Sequence, residues 1–236
     1  MILVLWDIDR TLLYVGETDR LVYREVFQEV VGRPPVILPA RGTGVTMPLA
    51  VRELLAANDV PDEDMQRLAD GIIERLPEKL MGHSEELLTQ GRLMPGALAA
   101  LVAVRQSELF LPSIVTGNLQ RSAEIKLSSF GLASYVDGDV GGYASDNPHR
   151  PALVRIAQER SEKAYGERFN HGNTVIVGDS LQDVLTGREG GAKVIGVASG
   201  TTSAAELQSH GADRVIPDLT DVDRVLQSIT EVVNGG

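Results

Sequence analysis

The chain of 236 residues contains no cysteine, which excludes disulfide bonds, thiolate zinc sites and cysteine nucleophiles. It is also poor in positive charge, with 22 Lys and Arg against 33 Asp and Glu and a formal net charge of -11. Binding to nucleic acid needs a basic face, so we expect no nucleic-acid partner. No apolar run approaches the ~20 residues of a membrane-spanning helix, and charge appears too early for a signal peptide. We therefore expect a cytoplasmic protein that does not enter a membrane.

Short apolar runs, several rich in β-branched residues, alternate along the chain with stretches of helical periodicity. This alternation predicts an α/β fold, a Rossmann-like parallel sheet flanked by helices on both faces. Proline belongs at the start or the edge of a strand, so we expect the second strand to begin after Pro112. The apolar runs that predict the strands are Ile2–Trp6, Leu111–Val115, Thr174–Val177, Val194–Val197 and Arg214–Ile216.

One segment, residues 15–92, shows helical periodicity without a convincing strand. We expect three helices there, the second beginning at Pro48 and the third broken or kinked at Pro77. The sequence therefore predicts an all-helical domain inserted after the first strand, which we call the helical insert (residues 15–92). Residues 1–14 and 93–236 are expected to form the α/β core domain.

Polar residues follow the first predicted strand directly, in Asp7-Ile8-Asp9-Arg10-Thr11. In an open α/β sheet, ligands bind at the carboxyl ends of the strands. Two carboxylates at that edge can hold a hard cation through oxygen atoms and can divide nucleophilic and acid–base roles. The alternative is a polar loop in which Asp9 caps a turn, and this motif alone does not decide between the two.

Two further polar clusters follow later strands. Thr116-Gly117-Asn118 combines a hydroxyl, a permissive glycine and helix N-terminal amides, which together make an anion site, although helix capping is the alternative. In Gly178-Asp179-Ser180-Leu181-Gln182-Asp183, the last acid returns to the side of Asp179 on the first helical turn. Paired acids there suit Mg²⁺, and helix capping by Asp179 is the alternative.

The ordered set of motifs is more specific than any one of them. Asp-x-Asp-x-Thr, then Thr-Gly-Asn, then a basic residue before proline, then Gly-Asp-x-x-x-Asp resembles the haloacid dehalogenase (HAD) superfamily of hydrolases across essentially the whole chain. The helical insert resembles the C1-type cap of that superfamily. The resemblance implies a C1-capped, subfamily I protein similar to phosphoglycolate phosphatases. Such a protein is a Mg²⁺-dependent phosphomonoester hydrolase that acts on a small phosphorylated metabolite through an aspartyl-phosphate.

The resemblance also implies roles for individual residues. Asp7 matches the nucleophile, and Asp9 matches the general acid and base, whose backbone carbonyl usually contacts Mg²⁺ as well. Thr116 matches the hydroxyl that holds the phosphoryl oxygens, with Gly117 and Asn118 lining the same site. Asp179 matches the acidic metal ligand and Asp183 the acid that supports the metal or its waters. The metal site implied in this way comprises Asp7, Asp9, Asp179 and Asp183.

The fixed cation of the site is where the sequence departs from the commonest family pattern, which has lysine. Arg150, directly before Pro151, is our candidate, because arginine can clamp carboxylate and phosphate oxygens bidentately. A surface residue at a helix start is the alternative. Lys126 is the second choice, because it lies in the middle of a predicted helix. A second departure is Arg10, where the family most often has glycine.

Residue types that the helical insert lacks reduce the number of reaction classes that the resemblance allows. The first predicted cap helix has no lysine for a phosphonate-cleaving enzyme, and no histidine follows the first motif closely, as a sugar-phosphate mutase would require. A haloacid dehalogenase would lack the acid at Asp9. We expect a phosphatase, with a phosphomutase or a weakly active binding or regulatory protein as alternatives.

The Arg41-Gly42-Thr43-Gly44 loop is either a ligand contact or a connection between helices. The sequence does not decide whether the protein is a monomer or a homodimer.

Overall fold

The structure is a computed structural model that describes residues 1–39 and 44–235. Arg41, Gly42 and Thr43 of the candidate loop therefore lie outside the described residues. In chain order, the strands are β1 (Ile2–Trp6), β2 (Leu13–Tyr14), β3 (Arg92–Leu93), β4 (Phe110–Thr116), β5 (Gly142–Tyr143), β6 (Thr174–Gly178), β7 (Lys193–Val197) and β8 (Arg214–Ile216).

Helices fill most of the chain between these strands. They are α1 (Gly16–Val31), α2 (Met47–Ala57), α3 (Asp62–Gly82), α4 (Ser84–Gln90), α5 (Ala97–Gln106), α6 (Gln120–Ser129), α7 (Arg150–Tyr165), α8 (Leu181–Gly190), α9 (Ala204–Ser209) and α10 (Val222–Asn234). In the described parts of the chain, no helix is both long enough and apolar enough to cross a membrane.

The main sheet has six parallel strands in the order β5-β4-β1-β6-β7-β8. Successive residues of β1 alternate between two apolar clusters: Val4 and Trp6 belong to one, and Leu3 and Leu5 to the other. This period of two is what a strand buried on both faces requires. The predicted α/β fold with a Rossmann-like parallel sheet is confirmed.

Strand β4 corrects the prediction at Pro112, because it begins at Phe110 and contains the proline. The carbonyl oxygen of Pro112 accepts a hydrogen bond from the amide of Asp137, 2.9 Å away, although β4 is an inner strand. The neighbour β5 pairs with β4 only at Val115 and Thr116. The missing N–H of Pro112 therefore interrupts no part of the ladder with β5.

Helices α1 to α4 lie between β2 and β3, which pair antiparallel where the chain leaves and re-enters the α/β part. Pro77 does not end α3, which continues to Gly82, so the predicted break is wrong there. The buried apolar face of α3, which includes Ile72 and Leu80, packs on α1 and α2 and stabilises the helix despite the lost hydrogen bond. Helix α4 was not predicted. The division into two domains at residues 15–92 stays a prediction.

Candidate active site

Three strand ends bring the predicted motifs together at one edge of the sheet. Asp7 follows β1, Thr116 ends β4, and Asp179 follows β6, and β4 and β6 are the two neighbours of β1. A pocket of about 170 Å³ opens at this edge, and residues of the helical insert form its other walls. The predicted site residues that line it are Asp7, Asp9, Thr116, Gly117, Asn118, Arg150 and Asp179.

Arg150, in the first turn of α7, is buried and forms the centre of one half of the site. Its Nη2 donates a hydrogen bond to Oδ1 of Asp7 at 2.8 Å and a second, shorter one to Oδ1 of Asp183. Its Nη1 donates to the carbonyl oxygen of Gly44, in the segment that leads into α2. Arg150 is therefore not a surface residue, and its guanidinium joins two of the predicted acids.

Three carboxylates meet around this guanidinium. Asp7, Asp179 and Asp183 are buried, and each offers a carboxylate oxygen within 4.8 Å of the others. Burial and the neighbouring Asp183 raise the pKa of Asp7 well above its usual value, although Arg150 opposes this. Burial and Asp183 likewise raise the pKa of Asp179 to about 7. A divalent cation would relieve this repulsion, and a cluster of oxygen ligands is the set that Mg²⁺ prefers.

The helix that follows β6 is capped by Ser180, so the alternative role of Asp179 as a cap is wrong. The amide and the hydroxyl of Ser180 donate to Oδ2 of Asp183 at 2.9 and 2.6 Å, and the Ser180 hydroxyl accepts from the Asp183 amide. This capping box fixes the Asp183 carboxylate. Asp179 contacts the first motif instead, through a hydrogen bond from the Thr11 hydroxyl at 3.3 Å.

The Thr116-Gly117-Asn118 motif also does not cap a helix, because α6 begins later and Leu119 occupies the N-cap position without a side-chain bond. Asn118 instead donates from Nδ2 to Oδ2 of Asp9 at 2.7 Å and to the Thr116 hydroxyl at 2.9 Å. A side chain at Gly117 would place Cβ 2.6 Å from the carbonyl oxygen of Val45. The glycine is therefore needed where the helical insert meets β4.

Lys126 forms the centre of the other half of the site. It lies in α6 with 1% of its side chain exposed, and its Nζ donates to both oxygens of Asp9, at 2.9 and 3.1 Å. It also donates to Oδ2 of Asp19 in α1, at 2.9 Å. Desolvation raises the pKa of Asp19 to about 6, although the charge of Lys126 opposes this. Our second choice of cation thus reaches the pocket beside Arg150.

Asp19 is the site residue that sequence reasoning missed. An acid in the first turn of a helix favourably meets the helix dipole, so the sequence offered an ordinary explanation for it. Only the packing of α1 against the core brings Asp19 to Lys126, 107 residues away. No local pattern marks that contact.

Comparison with known proteins identifies the family. The model of the haloacid dehalogenase-like hydrolase family matches residues 4–188, which include all the motifs described above. The chain belongs to this family. The predicted assignment to a HAD-type hydrolase is confirmed. Comparison with curated protein sequences gave no match.

Solved structures of other proteins share the fold over nearly the full length. A hydrolase from Pseudomonas syringae superposes with a TM-score of 0.68 at 22% identity, covering 97% of this chain and 99% of that one. A predicted phosphatase from Clostridium acetobutylicum gives 0.70 at 20% identity and covers 98% of each chain. A family IA HAD hydrolase from Entamoeba histolytica gives 0.65 at 17% identity, covering 98% and 100%. These identities establish similarity of fold.

Arg10, the second expected departure from the family pattern, has a backbone conformation that favours glycine. Its φ of 66° lies in the left-handed region that glycine adopts most readily. The guanidinium stacks over the ring of Tyr14 at 4.6 Å, and Arg92 stacks on the same ring at 4.8 Å. Arg10 and Tyr14 both line the pocket. Arg10 therefore belongs to the pocket wall, and the ring contact offsets part of its backbone strain.

Proposed function

We propose that this HAD protein is a Mg²⁺-dependent phosphomonoester hydrolase that acts on a small phosphorylated metabolite through an aspartyl-phosphate. The observation that carries the proposal is the buried guanidinium of Arg150, bonded to Asp7 and flanked by Asp179 and Asp183. This arrangement pairs an oxygen nucleophile with a fixed positive charge and with a set of metal ligands. The combination suits attack on an anionic phosphate.

In the first step, a carboxylate oxygen of Asp7 attacks phosphorus and the bond from phosphorus to the ester oxygen breaks. Asp9, which enters this step protonated, donates its proton to that leaving oxygen, so the alcohol departs neutral and Asp9 is left as a carboxylate. In the second step, Asp9 takes a proton from water, which attacks the same phosphorus and releases phosphate from Asp7. Arg150 and the hydroxyl of Thr116 stabilise the charge on the phosphoryl oxygens in both steps.

The carboxylates of Asp7 and Asp179 and the neighbouring Asp183 would hold the Mg²⁺ ion, and the Asp9 carbonyl would complete the set. The ion would supply positive charge that offsets the repulsion between the nucleophile and the phosphate. The crowding that raises the pKa of Asp7 and of Asp179 fits a site built for a cation. The side chain of Asp9 does not belong to this cluster of carboxylates, because it binds Lys126 and Asn118. It is therefore available for proton transfer.

We further propose that the helical insert acts as a cap that excludes water and selects the substrate. Asp19, Tyr23 and Met47 of the insert line the pocket opposite the sheet edge. The amide of Met47 donates to the Gly117 carbonyl at 2.7 Å, so the insert contacts the Thr116-Gly117-Asn118 motif directly. The pocket volume of about 170 Å³ favours a small metabolite over a polymer.

The decisive experiment replaces the nucleophile. Asp7→Asn should lower the turnover of p-nitrophenyl phosphate in the presence of Mg²⁺ on the order of 10⁴-fold or more, because the variant cannot form the aspartyl-phosphate. Asp223→Asn, an exposed acid in α10, is the matched control and should retain wild-type turnover. Circular dichroism checks that both variants are folded.

Two outcomes contradict the proposal. Unchanged turnover in folded Asp7→Asn would exclude the nucleophile, and a wild type inactive on a panel of phosphate esters would favour a binding protein. Release of free phosphate distinguishes hydrolysis from transfer, since a phosphomutase would yield an isomerised ester instead.

A further inference from the structure

Lys126 is placed unlike the other charged residues of α6. Its side chain is almost fully buried, whereas Arg121, earlier on the same helix, is 61% exposed and pairs with Glu124 on the surface. Burial of an ammonium group is costly unless it is paired and hydrogen bonded. Among the described residues, Lys126 meets that condition through Asp9 and Asp19.

The contacts of Lys126 immobilise the Asp9 carboxylate. Nζ of Lys126 binds both oxygens of Asp9, and Nδ2 of Asn118 binds Oδ2 from another direction at 2.7 Å. With donors on both oxygens, the carboxylate has one favoured orientation. The ammonium group of Lys126 donates its remaining hydrogen bond to Asp19, so α1 of the helical insert holds the lysine in place.

The two buried cations of the pocket serve different acids. Arg150 binds Asp7 and Asp183, and Lys126 binds Asp9 and Asp19. The three N–H donors of the Lys126 ammonium all go to oxygens of Asp9 and Asp19, whereas Nε of Arg150 has no hydrogen-bond partner among the described residues. Lys126 is therefore better suited to hold Asp9 than to bind the substrate phosphate.

We propose that Lys126 and Asp19 are positioning residues for Asp9: Lys126 orients the carboxyl group that protonates the leaving group, and Asp19 of the insert anchors Lys126. The inference rests on the proposed function, in which Asp9 is the general acid. Its consequence is that the acid is aligned only while α1 is seated on the core, so protonation of the leaving group depends on the insert.

The test compares two nearly isosteric esters, p-nitrophenyl phosphate and phenyl phosphate. Phenolate is a far more basic leaving group than p-nitrophenolate, so only phenyl phosphate depends strongly on a well-placed acid. The constant kcat/KM is compared, because it reports the steps up to formation of the aspartyl-phosphate. Inhibition by inorganic phosphate measures phosphate binding separately.

Lys126→Met should lower kcat/KM for phenyl phosphate on the order of 10²-fold, and for p-nitrophenyl phosphate about tenfold less. Asp19→Asn, which keeps the shape of the side chain, should show the same pattern at roughly a tenth of that size. Inhibition by phosphate should stay near wild type in both. Arg121→Met, the control on α6, should leave all three measurements unchanged.

Several outcomes overturn the inference. Equal losses on the two esters, with weaker inhibition by phosphate, would assign Lys126 to phosphate binding. If Lys126→Met does not fold, the inference is tested with Asp19→Asn alone. An Asp19→Asn variant with the same kinetics as the control would exclude a role of the insert in positioning Asp9. A wild type inactive on both esters would instead defeat the proposed function. If activity is lost in Asp7→Asn but unchanged in Lys126→Met and Asp19→Asn, the proposed function stands and only the positioning role of Lys126 and Asp19 is excluded.

Discussion

Helix α1 supplies carboxylates to two lysines, and the two clusters differ in burial. Asp19 meets Lys126, of which 1% is exposed, inside the pocket. Glu25 and Glu29 meet Lys79, of which 26% is exposed, at 3.7 and 2.5 Å on the outer side of the helical insert. Water screens the second cluster and not the first, so similar charge patterns should have different energies.

The clusters also differ in what they join. Lys126 connects the insert to the end of β1 through Asp9, whereas Lys79 and its partners all belong to the insert. A change in the buried cluster should therefore alter how the insert sits on the core. A change in the outer cluster should affect only the packing of α1 on α3.

The largest expected difference is in stability. Lys126→Met should lower the free energy of unfolding by about 3 kcal/mol, because it leaves Asp9 and Asp19 without their cation in a desolvated site. The cost stays at the low end of the usual range, because Asp19, with its pKa raised to about 6, can take up a proton. Lys79→Met should cost less than ~1 kcal/mol. Urea unfolding of both variants measures the difference, and equal losses would contradict the contrast in burial.

A smaller loss of stability is expected when the contact between the insert and the core is disturbed. Gly117→Ala would bring Cβ within 2.6 Å of the Val45 carbonyl, so the segment leading into α2 must shift. We expect a stability loss of about 1–3 kcal/mol and a fall in kcat/KM on the order of tenfold, because Asp19 moves relative to Lys126. Gly82→Ala, with no atom within 4 Å of the added Cβ, is the control and should be nearly neutral.

Double variants sharpen this test. If the shifted insert weakens the contact between Asp19 and Lys126, Asp19→Asn should cost less in the Gly117→Ala background than alone. Lys79→Met should cost the same in both backgrounds, because its cluster lies within the insert. If the losses of stability are additive both for Gly117→Ala with Asp19→Asn and for Gly117→Ala with Lys79→Met, the alanine does not change the contact between Asp19 and Lys126.

The sequence predicted which polar motifs meet at one edge of the sheet, for a physical reason. Parallel strands present their carboxyl ends at one edge, so polar motifs after β1, β4 and β6 must meet there. Arg150 could be assigned because the family pattern that the chain resembles has a basic residue before a proline, and the helix that it opens begins at the same edge. In these cases the local motif and the sheet topology together determine the position.

The Lys126 half depended on packing that no local pattern records. A lysine in the middle of a helix usually lies in solvent, and the short polar stretches of α6 do not reveal which turn faces the pocket. The continuity of α3 through Pro77 has the same origin, because contacts with other helices outweigh the local preference. Contacts between the insert and the core are the part that the sequence left open.

The smallest effect should come from His83, at the end of α3, which extends the outer cluster. Its Nε2 lies 3.0 Å from Oε2 of Glu25 and its Nδ1 3.3 Å from Oε1 of Glu86, and the hydrogen bond to Glu25 chiefly raises the pKa of His83. A raised pKa in the folded state adds stability that is complete below the unfolded value of about 6.5. This stability is lost as the pH rises through the higher folded value, and the partly exposed site limits it to less than ~1 kcal/mol. His83→Gln should flatten this part of the pH dependence of unfolding between about pH 5 and pH 9. A slope that persists in the variant would show that the outer cluster is too well screened to contribute even this much.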